Sequence, residues 1–595
     1  MLENMTGLKR THYCGEVDET LLGREVVIMG WVQHRRDHGG LVFIDLRDRS
    51  GLLQSVFNPQ EDEETHQKSH DVRSEYVLAL RGTVRRRPAD MVNPNLKTGQ
   101  VEVFIRELRV LNVAQTPPFV VEDHGEANEN VRLKYRYIDL RRPSVLKKFI
   151  LRHRVAGLTR NYFADRGFLE IETPVLTKST PEGARDYLVP SRVNQGLFYA
   201  LPQSPQLFKQ ILMVAGVDRY CQIVKCFRDE DLRADRQPEF TQVDLEMSFV
   251  EQDDVLDLLE GYISLVFKEI LGLDLPRPFP RLTYDEALRR FGSDRPDLRY
   301  GLEIVELSEV LSQSEAKVFT EALARGGCIR GLKAPGAASF SRKQLDDLVA
   351  YAITLGAKGL AWIKITGDGW QGPLAKFLTE EEKAALARAL EAGPGDVIFF
   401  GADTAPIVSS VLGQIRSRAA QELGLVREGE FRLTWVTDFP MFEYDAEGKR
   451  WAAVHHPFTA PRDEDLKYLA DEPGRVRAKA YDLVLNGNEI GGGSLRIHRP
   501  DVQALVFRAL GLEAAEAREK FGFLLDALAY GAPPHGGCAF GLDRLVMLLA
   551  GASSLREVIA FPKTQKATCP LTEAPGPVDP RQMAELGLRP ELKKS

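Results

Sequence analysis

Between positions 25 and 110, apolar and polar residues alternate in short runs rich in β-branched side chains, at 26–32, 41–46, 52–57, 76–84 and 101–111. That period of two predicts five strands. Gly39-Gly40, Ser50-Gly51 and Lys97-Thr98-Gly99 supply turns, and the polar run 61–74 reads as a loop or short helix. Apolar spacing over 145–166 predicts a helix ending at Gly167, followed by a strand over 168–174 that Pro174 stops. Between 286 and 425 the texture becomes Ala- and Gly-rich: helices at 342–355 and 380–391 alternate with strands at 359–365 and 396–400. No repeat of 20–50 residues is apparent, which disfavours solenoids and propellers.

The length of 595 residues exceeds what one core supports, so several domains are expected. Five strands in about 90 residues suggest a small barrel such as an OB-fold. Thr116-Pro117-Pro118 and the polar run 122–130 have linker composition. The expected division is therefore a barrel over 1–112, a hinge over 113–145, an α+β catalytic domain in two parts (146–285 and 426–560), an inserted α+β domain over 286–425, and a Pro-rich extension over 561–595. A net charge of −7 with 44% hydrophobic residues is ordinary for a soluble globular chain. No apolar run approaches the ~18 residues of a membrane span, and the first 16 residues lack a signal-peptide core, so a cytoplasmic protein is expected. Six dispersed cysteines argue against a disulfide framework or a Cys-rich zinc site.

Over residues 1–112 the charges balance, with 16 basic against 17 acidic residues, yet His34-Arg35-Arg36 and Arg85-Arg86-Arg87 are concentrated clusters. Such triplets are either solvated strand ends or part of a single-strand nucleic-acid site, and Phe43 and Gln54 on neighbouring strands favour the second by adding a stacking platform and an amide.

Three later segments carry most of the candidate chemistry. Residues 200–249 alternate apolar strand positions with Arg228, Asp229, Glu230, Arg233, Arg236, Gln237, Gln242, Asp244 and Glu246. Either this is a surface hairpin laced with ion pairs, or one face of a packed sheet lines a polar site. Residues 481–498 place Asp482 on a strand, a turn at Asn486-Gly487, then Glu489, three glycines that let a substrate approach the backbone, and Arg496. Asp482 and Glu489 are hard oxygen ligands of the kind Mg²⁺ uses alongside phosphates. Residues 535–551 run from a Gly-rich strand through Gly541-Leu542-Asp543 into a helix opening with Arg544, either a plain strand-to-helix connection or a phosphate seat. No P-loop, dinucleotide fingerprint, zinc-protease helix or nucleophile elbow is present, so an ATP site must rest on arginines. His455-His456 on a strand would point to opposite faces, with one touching substrate or being structural.

Taken together, these segments resemble the class II aminoacyl-tRNA synthetases. The stretch ending at Pro174 looks like their first motif, which builds a dimer interface; 227–249 looks like the second and 541–551 the third. More narrowly, STPEGARDY (179–187), LPQSPQLFKQ (201–210), RQPEFTQVDLE (236–246), HHPF (455–458), GGGSLRIH (491–498) and the long insertion are similar to the bacterial-type aspartyl-tRNA synthetase family.

The resemblance implies an OB-fold anticodon-binding barrel, an antiparallel-sheet catalytic domain, and a homodimeric, ATP- and Mg²⁺-dependent aspartate–tRNA ligase. By position, the catalytic pair would be Arg228 on the α-phosphate and Arg544 on the γ-phosphate, with Phe240 stacking on adenine. Asp229, Glu230, Gln237, Gly541, Leu542 and Asp543 would line the nucleotide site, and Asp482 and Glu489 would hold Mg²⁺. L-Aspartate would meet Lys209 and Arg496 through its side-chain carboxylate and Asp244 through its ammonium, with Ser204, Gln206, His455 and the flap residue Glu182 around it. Asparagine would leave the two cations uncompensated and be rejected.

Arg36, His38, Phe43 and Gln54 would read the anticodon of tRNA(Asp). His38 departs from the Leu common in members strict for tRNA(Asp), and is common in those that also charge tRNA(Asn). That opens a second reading, in which a tRNA-dependent amidotransferase is a partner; turn chemistry before Gly39-Gly40 is the other explanation. The inserted domain resembles one shared with such amidotransferases and is assigned no chemistry. Rivals are the asparagine or lysine enzyme of the same subclass, disfavoured by Lys209 with Arg496, and a binding protein with a dead core, which predicts losing Arg228 or Arg544.

Overall fold

A closed barrel forms first along the chain, because its strands alternate inward apolar and outward polar side chains. It comprises β1 (Glu25–His38), β2 (Leu41–Asp48), β3 (Gly51–Phe57), β4 (Val77–Arg86) and β5 (Val101–Asn112) in the order β1-β2-β3-β5-β4, with helix α1 (Glu63–Ser69) between β3 and β4. Val26, Ile28, Ile44, Leu46, Leu53, Leu80, Val103 and Ile105 fill its interior. The turn between β1 and β2 is Gly39-Gly40, both at positive φ, where a Cβ would be strained. The structure is a computed structural model that describes residues 2–123, 125, 127–180, 183–230 and 236–589.

Two compact units divide the chain, Met1–Arg154 with Asp231–Pro238 and Val546–Pro580, and Val155–Glu230 with Glu239–Leu545 and Arg581–Ser595. In the first, the barrel is tied to the following segment through a buried array. Arg47 pairs with Glu75 at 2.8 Å, and Arg141 reaches the same carboxylate at 2.7 Å while lying over the Trp31 ring. Arg136 donates to the carbonyls of Arg556, Ile559 and Ala560, which anchors that segment to the C-terminal stretch.

The second unit is built on an eight-stranded sheet: β6 (Leu169–Glu170), β7 (Arg219–Phe227), β8 (Glu239–Ser248), β9 (Arg281–Thr283), β10 (Leu433–Thr437), β11 (Ala480–Leu485), β12 (Asn488–Leu495) and β13 (His535–Gly541). Its order is β9-β10-β11-β12-β13-β8-β7-β6, antiparallel except for the parallel pairs β9–β10 and β6–β7 at its edges. The strand expected over 168–174 is only Leu169–Glu170, because as an edge strand it pairs with β7 over two residues before Thr173 turns its hydroxyl to Gln222.

Between β9 and β10 a separate five-stranded antiparallel sheet forms from 304–306, 328–334, 361–366, 369–371 and 397–403. Along 397–403, Val397 and Phe399 enter one core while Ile398 and Phe400 enter another, so both faces of this sheet are covered. Among the described residues no helix is long and apolar enough to cross a membrane.

Candidate active site

Cross-strand partners in a sheet share a face, so the register shows which side chains meet. Asp244 on β8 lies opposite Gln222 on β7 and Ala539 on β13; Ala539 lies opposite Gly492 on β12, and Gly492 opposite Asp482 on β11. One row along, Glu246 lies opposite Tyr220 and Gly537, and Gly537 opposite Ser494. One face thus presents acids at both sides of a floor made of Ala539, Gly492, Gly537 and Ser494. Of the polar positions named in 200–249, Gln242, Asp244 and Glu246 share this face and the last two are buried on it, so the surface-hairpin alternative falls there; Arg233 lies outside the described residues.

On that face four charged side chains are buried together. Helix α2 (Gln206–Val214) brings Lys209, whose Nζ stands 2.7 Å from Asp244 Oδ1 and 3.3 Å from Glu246 Oε2. Arg496 donates from Nε and Nη2 to Glu246 at 2.8 and 3.1 Å, and from Nη1 to Ser494 Oγ at 2.6 Å and His456 Nε2 at 2.8 Å. Burial alone would push the Glu246 carboxyl up, but Arg496 and Lys209 outweigh it and hold it below the ordinary range. Burial raises Asp244 to about 6 despite Lys209, and its Oδ2 has no hydrogen-bond partner among the described residues. An orphaned buried carboxylate oxygen beside a neutralised array is a ready acceptor for a cationic ligand group.

This arrangement corrects two expectations. Lys209 and Arg496 are not left uncompensated by a neutral ligand, since Asp244 and Glu246, both on one face of β8, already balance them. Nor does Arg496 offer its whole fork: Glu246 holds the Nε–Nη2 edge, so a ligand carboxylate has only the Nη1–Nη2 end. Glu246 stands among the polar strand positions named from sequence but receives no role there, although its period of two from Asp244 was the signal for one; Ser494 is not singled out from sequence.

The histidines also differ from expectation. His455 and His456 sit in a bend, not a strand. His456 touches Arg496, and burial together with that guanidinium pushes its pKa well down, so it stays neutral. His455 lies 3.8 Å from Asp482; burial lowers its pKa, but Asp482 and Glu489 prevail and raise it.

Asp482 and Glu489 form the second centre. The charge of Asp482 raises the Glu489 carboxyl, burial adds to this, and Arg544, His455 and Arg295 draw it back. A Cβ on Gly492 would stand 2.2 Å from Asp482 Oδ1, and one on Gly537 2.1 Å from Glu246 Oε2. These glycines therefore make room for the protein's own carboxylates, rather than only for a substrate. Among the described residues no cluster of three or more His, Cys, Asp or Glu forms a closed metal cage. Two carboxylates suit a cation that keeps other ligands, as Mg²⁺ does with phosphates.

The nucleotide candidates of the second unit gather at one end of the sheet. The Arg228 guanidinium lies 5.1 Å over the Phe240 ring, and its buried Nε has no hydrogen-bond partner among the described residues. Arg544, on helix α3 (Leu542–Leu549), donates to the Glu489 carbonyl at 2.6 Å. Asp229 pairs with Arg185 at 3.8 Å, and Glu230 closes the described part of that loop. Asp543 instead turns inward to accept from the Thr241 amide at 2.7 Å, and Leu542 is buried. The Gln237 amide belongs to the other unit, where it exchanges both hydrogen bonds with the Lys563 backbone. Ser204 lines a cavity of about 220 Å³ with Leu207, Phe208 and Phe523, and the buried Gln206 amide donates to Gln210. Glu182 lies outside the described residues.

On the barrel, Arg36, His38, Phe43 and Gln54 share one face. Arg36 donates to Asp45 at 3.0 Å and to Gln54 at 3.4 Å, Gln54 donates to Glu102 at 2.8 Å, and His38 is exposed beside the glycine turn.

Residues 128–565 match the family model described as tRNA synthetases class II (D, K and N), and 26–111 match that of the OB-fold nucleic acid binding domain. The chain belongs to the class II tRNA synthetases. Within this family it is 58% identical over 596 residues, the full length of both chains, to a protein of Syntrophotalea carbinolica named "Aspartate--tRNA(Asp/Asn) ligase". It is also 58% identical over 593 residues, again the full length of both, to one of the same name from Geotalea uraniireducens. The asparaginyl-tRNA synthetase of Pyrococcus horikoshii, solved with asparaginyl-adenylate, shares the fold at a TM-score of 0.58 and 19% identity, over 94% of this chain and 98% of that one. The OB-fold barrel is what the strand pattern predicted, and the class II synthetase fold is what the motif resemblance implied.

Proposed function

We propose that this class II synthetase joins L-aspartate to the 3′ end of tRNA(Asp), by way of aspartyl-adenylate. The orphaned Asp244 Oδ2, set in the buried Lys209–Glu246–Arg496 array, carries the reading. It accepts the α-ammonium, and the substrate side-chain carboxylate takes the Nη1–Nη2 end of Arg496, displacing bonds now made to Ser494 and His456. Lys209 acts by holding Asp244 and Glu246 in place. The full-length likeness to the two named ligases supports aspartate over asparagine or lysine.

Adenylation asks little acid–base work of the protein. The attacking α-carboxylate is already ionised at neutral pH, so the chain supplies alignment and charge. Arg228 and Phe240 hold the nucleotide at the α-phosphate and base, and Arg544 holds its far end. Asp482 and Glu489 would hold Mg²⁺, which when bound neutralises phosphate charge. The barrel face with Arg36, His38, Phe43 and Gln54 reads the anticodon, Phe43 by stacking; Gln54 must release Arg36 or Glu102 to meet a base. We assign 286–425 to an inserted domain without chemistry, and take the protein to be cytoplasmic. We place a homodimer contact near Pro174, supported by the exposed Leu169, Val175 and Leu176.

A second reading, that tRNA(Asn) is also charged with aspartate, is favoured by the exposed His38 at the anticodon-facing turn and by the "Asp/Asn" in the relatives' names. An amidotransferase partner would then convert the product. Aspartate-dependent ATP–pyrophosphate exchange tests the main reading. Exchange with aspartate, absent with asparagine and lost in Arg496→Leu while Phe43→Ala retains it, supports the assignment; full exchange in Arg496→Leu contradicts the pocket.

A further inference from the structure

We propose that Arg295, on the segment leading from β9 into the five-stranded sheet of 304–403, binds the β- and γ-phosphates of ATP and then the departing pyrophosphate. This rests on the ligase reading above. Phe240, Gly541 to Arg544, Glu489 and the Asn486-Gly487 turn all lie at the same end of the eight-stranded sheet, since Gln242 pairs with Gly541, Phe540 with Gly491, and Glu489 with Val484. From β8 to β12 is two strand spacings, ~10 Å, a distance a nucleoside triphosphate can span. A nucleotide stacked at Phe240 and passing Arg544 would therefore end over Glu489 and that turn.

Arg295 stands at this end. A Cβ on Gly487 would lie 3.9 Å from the Arg295 carbonyl and 3.3 Å from Asp297 Cβ, so the segment packs directly on the turn. Its backbone is held from several sides. Arg299 grips Asp297 with two ion-pair contacts of 2.6 and 3.0 Å, and the Arg295 amide donates to Ser293 at 3.0 Å. The buried Arg416 donates to the carbonyls of Asp297, Tyr300, Gly301 and Leu302. On this fixed support the Arg295 side chain is 50% exposed and, among the described residues, makes only a loose 3.6 Å ion pair with its neighbour Asp294. A guanidinium with a free fork, carried on an anchored backbone and close enough to Glu489 to draw its carboxyl pKa down, matches a polyphosphate.

Steady-state exchange, run forward from ATP and in reverse from aspartyl-adenylate with pyrophosphate, tests this on the full chain. Arg295→Gln should raise KM for ATP and for pyrophosphate about tenfold, the size of one charged hydrogen bond, with KM for aspartate within twofold and the melting temperature unchanged. Arg295→Lys should recover most of that loss. Unchanged KM for ATP and pyrophosphate in Arg295→Gln, or equal losses for aspartate, would overturn the assignment. An inert wild-type chain would instead remove the ligase reading and this proposal with it.

Discussion

In the proposed function Asp244 captures the substrate ammonium, and its pKa gives that dependence a pH. Burial raises it to about 6, so the folded chain holds this proton more tightly than the unfolded one. Its ionisation therefore costs stability that grows from the ordinary aspartate range up to about pH 6, while only the ionised form binds an ammonium. The kcat/KM for aspartate in pyrophosphate exchange should fall as pH drops below about 6, and Asp244→Asn should lack that limb along with most activity. Glu246 acts on the same array from the other side. Glu246→Gln leaves Lys209 and Arg496 without their shared anion and should lower unfolding free energy by about 3 kcal/mol in denaturant titration.

At the scale of elements, the row through β8, β13, β12 and β11 works because its middle positions are small. Gly492→Ala should push Asp482 aside, raising the Mg²⁺ concentration for half-maximal exchange at least about tenfold while the far-ultraviolet circular dichroism stays native. The strands themselves were legible: alternation located all five barrel strands, and the Asn486-Gly487 turn falls between β11 and β12. What period alone could not supply was partnership. Glu246, two residues from Asp244, shares its face, but only the arrival of Arg496 from β12's end and Lys209 from α2 shows that it neutralises both. His455-His456 misled for the related reason that a bend, set by neighbouring segments, replaced the expected strand. Asp543 and Gln237 carry the right motif letters, yet their side chains bond to backbone at Thr241 and Lys563.

For the whole molecule, amino-acid activation and tRNA choice are assigned to different sets of residues, and they should separate in experiment. Phe43→Ala should leave aspartate-dependent exchange unchanged and lower kcat/KM for tRNA by about tenfold or more, the value of one lost base stack. On the second reading, His38→Leu should lower charging of tRNA(Asn) in the steady-state assay while leaving that of tRNA(Asp) unchanged. The five-strand barrel could be read from strand period because it carries its own apolar alternation, whereas the large antiparallel sheet was implied only by the motif resemblance. The residues proposed to read the anticodon were harder to weigh, since Arg36, Asp45, Gln54 and Glu102 form a self-satisfied chain that only a structure reveals. The most direct measurement is steady-state charging of purified tRNA(Asp) and tRNA(Asn) transcripts with labelled aspartate, with unlabelled asparagine as competitor. The account predicts aspartyl-tRNA(Asp) formation that asparagine does not inhibit, with charging of tRNA(Asn) marking the non-discriminating form. Failure to charge either tRNA, or loss of label to asparagine, would contradict it.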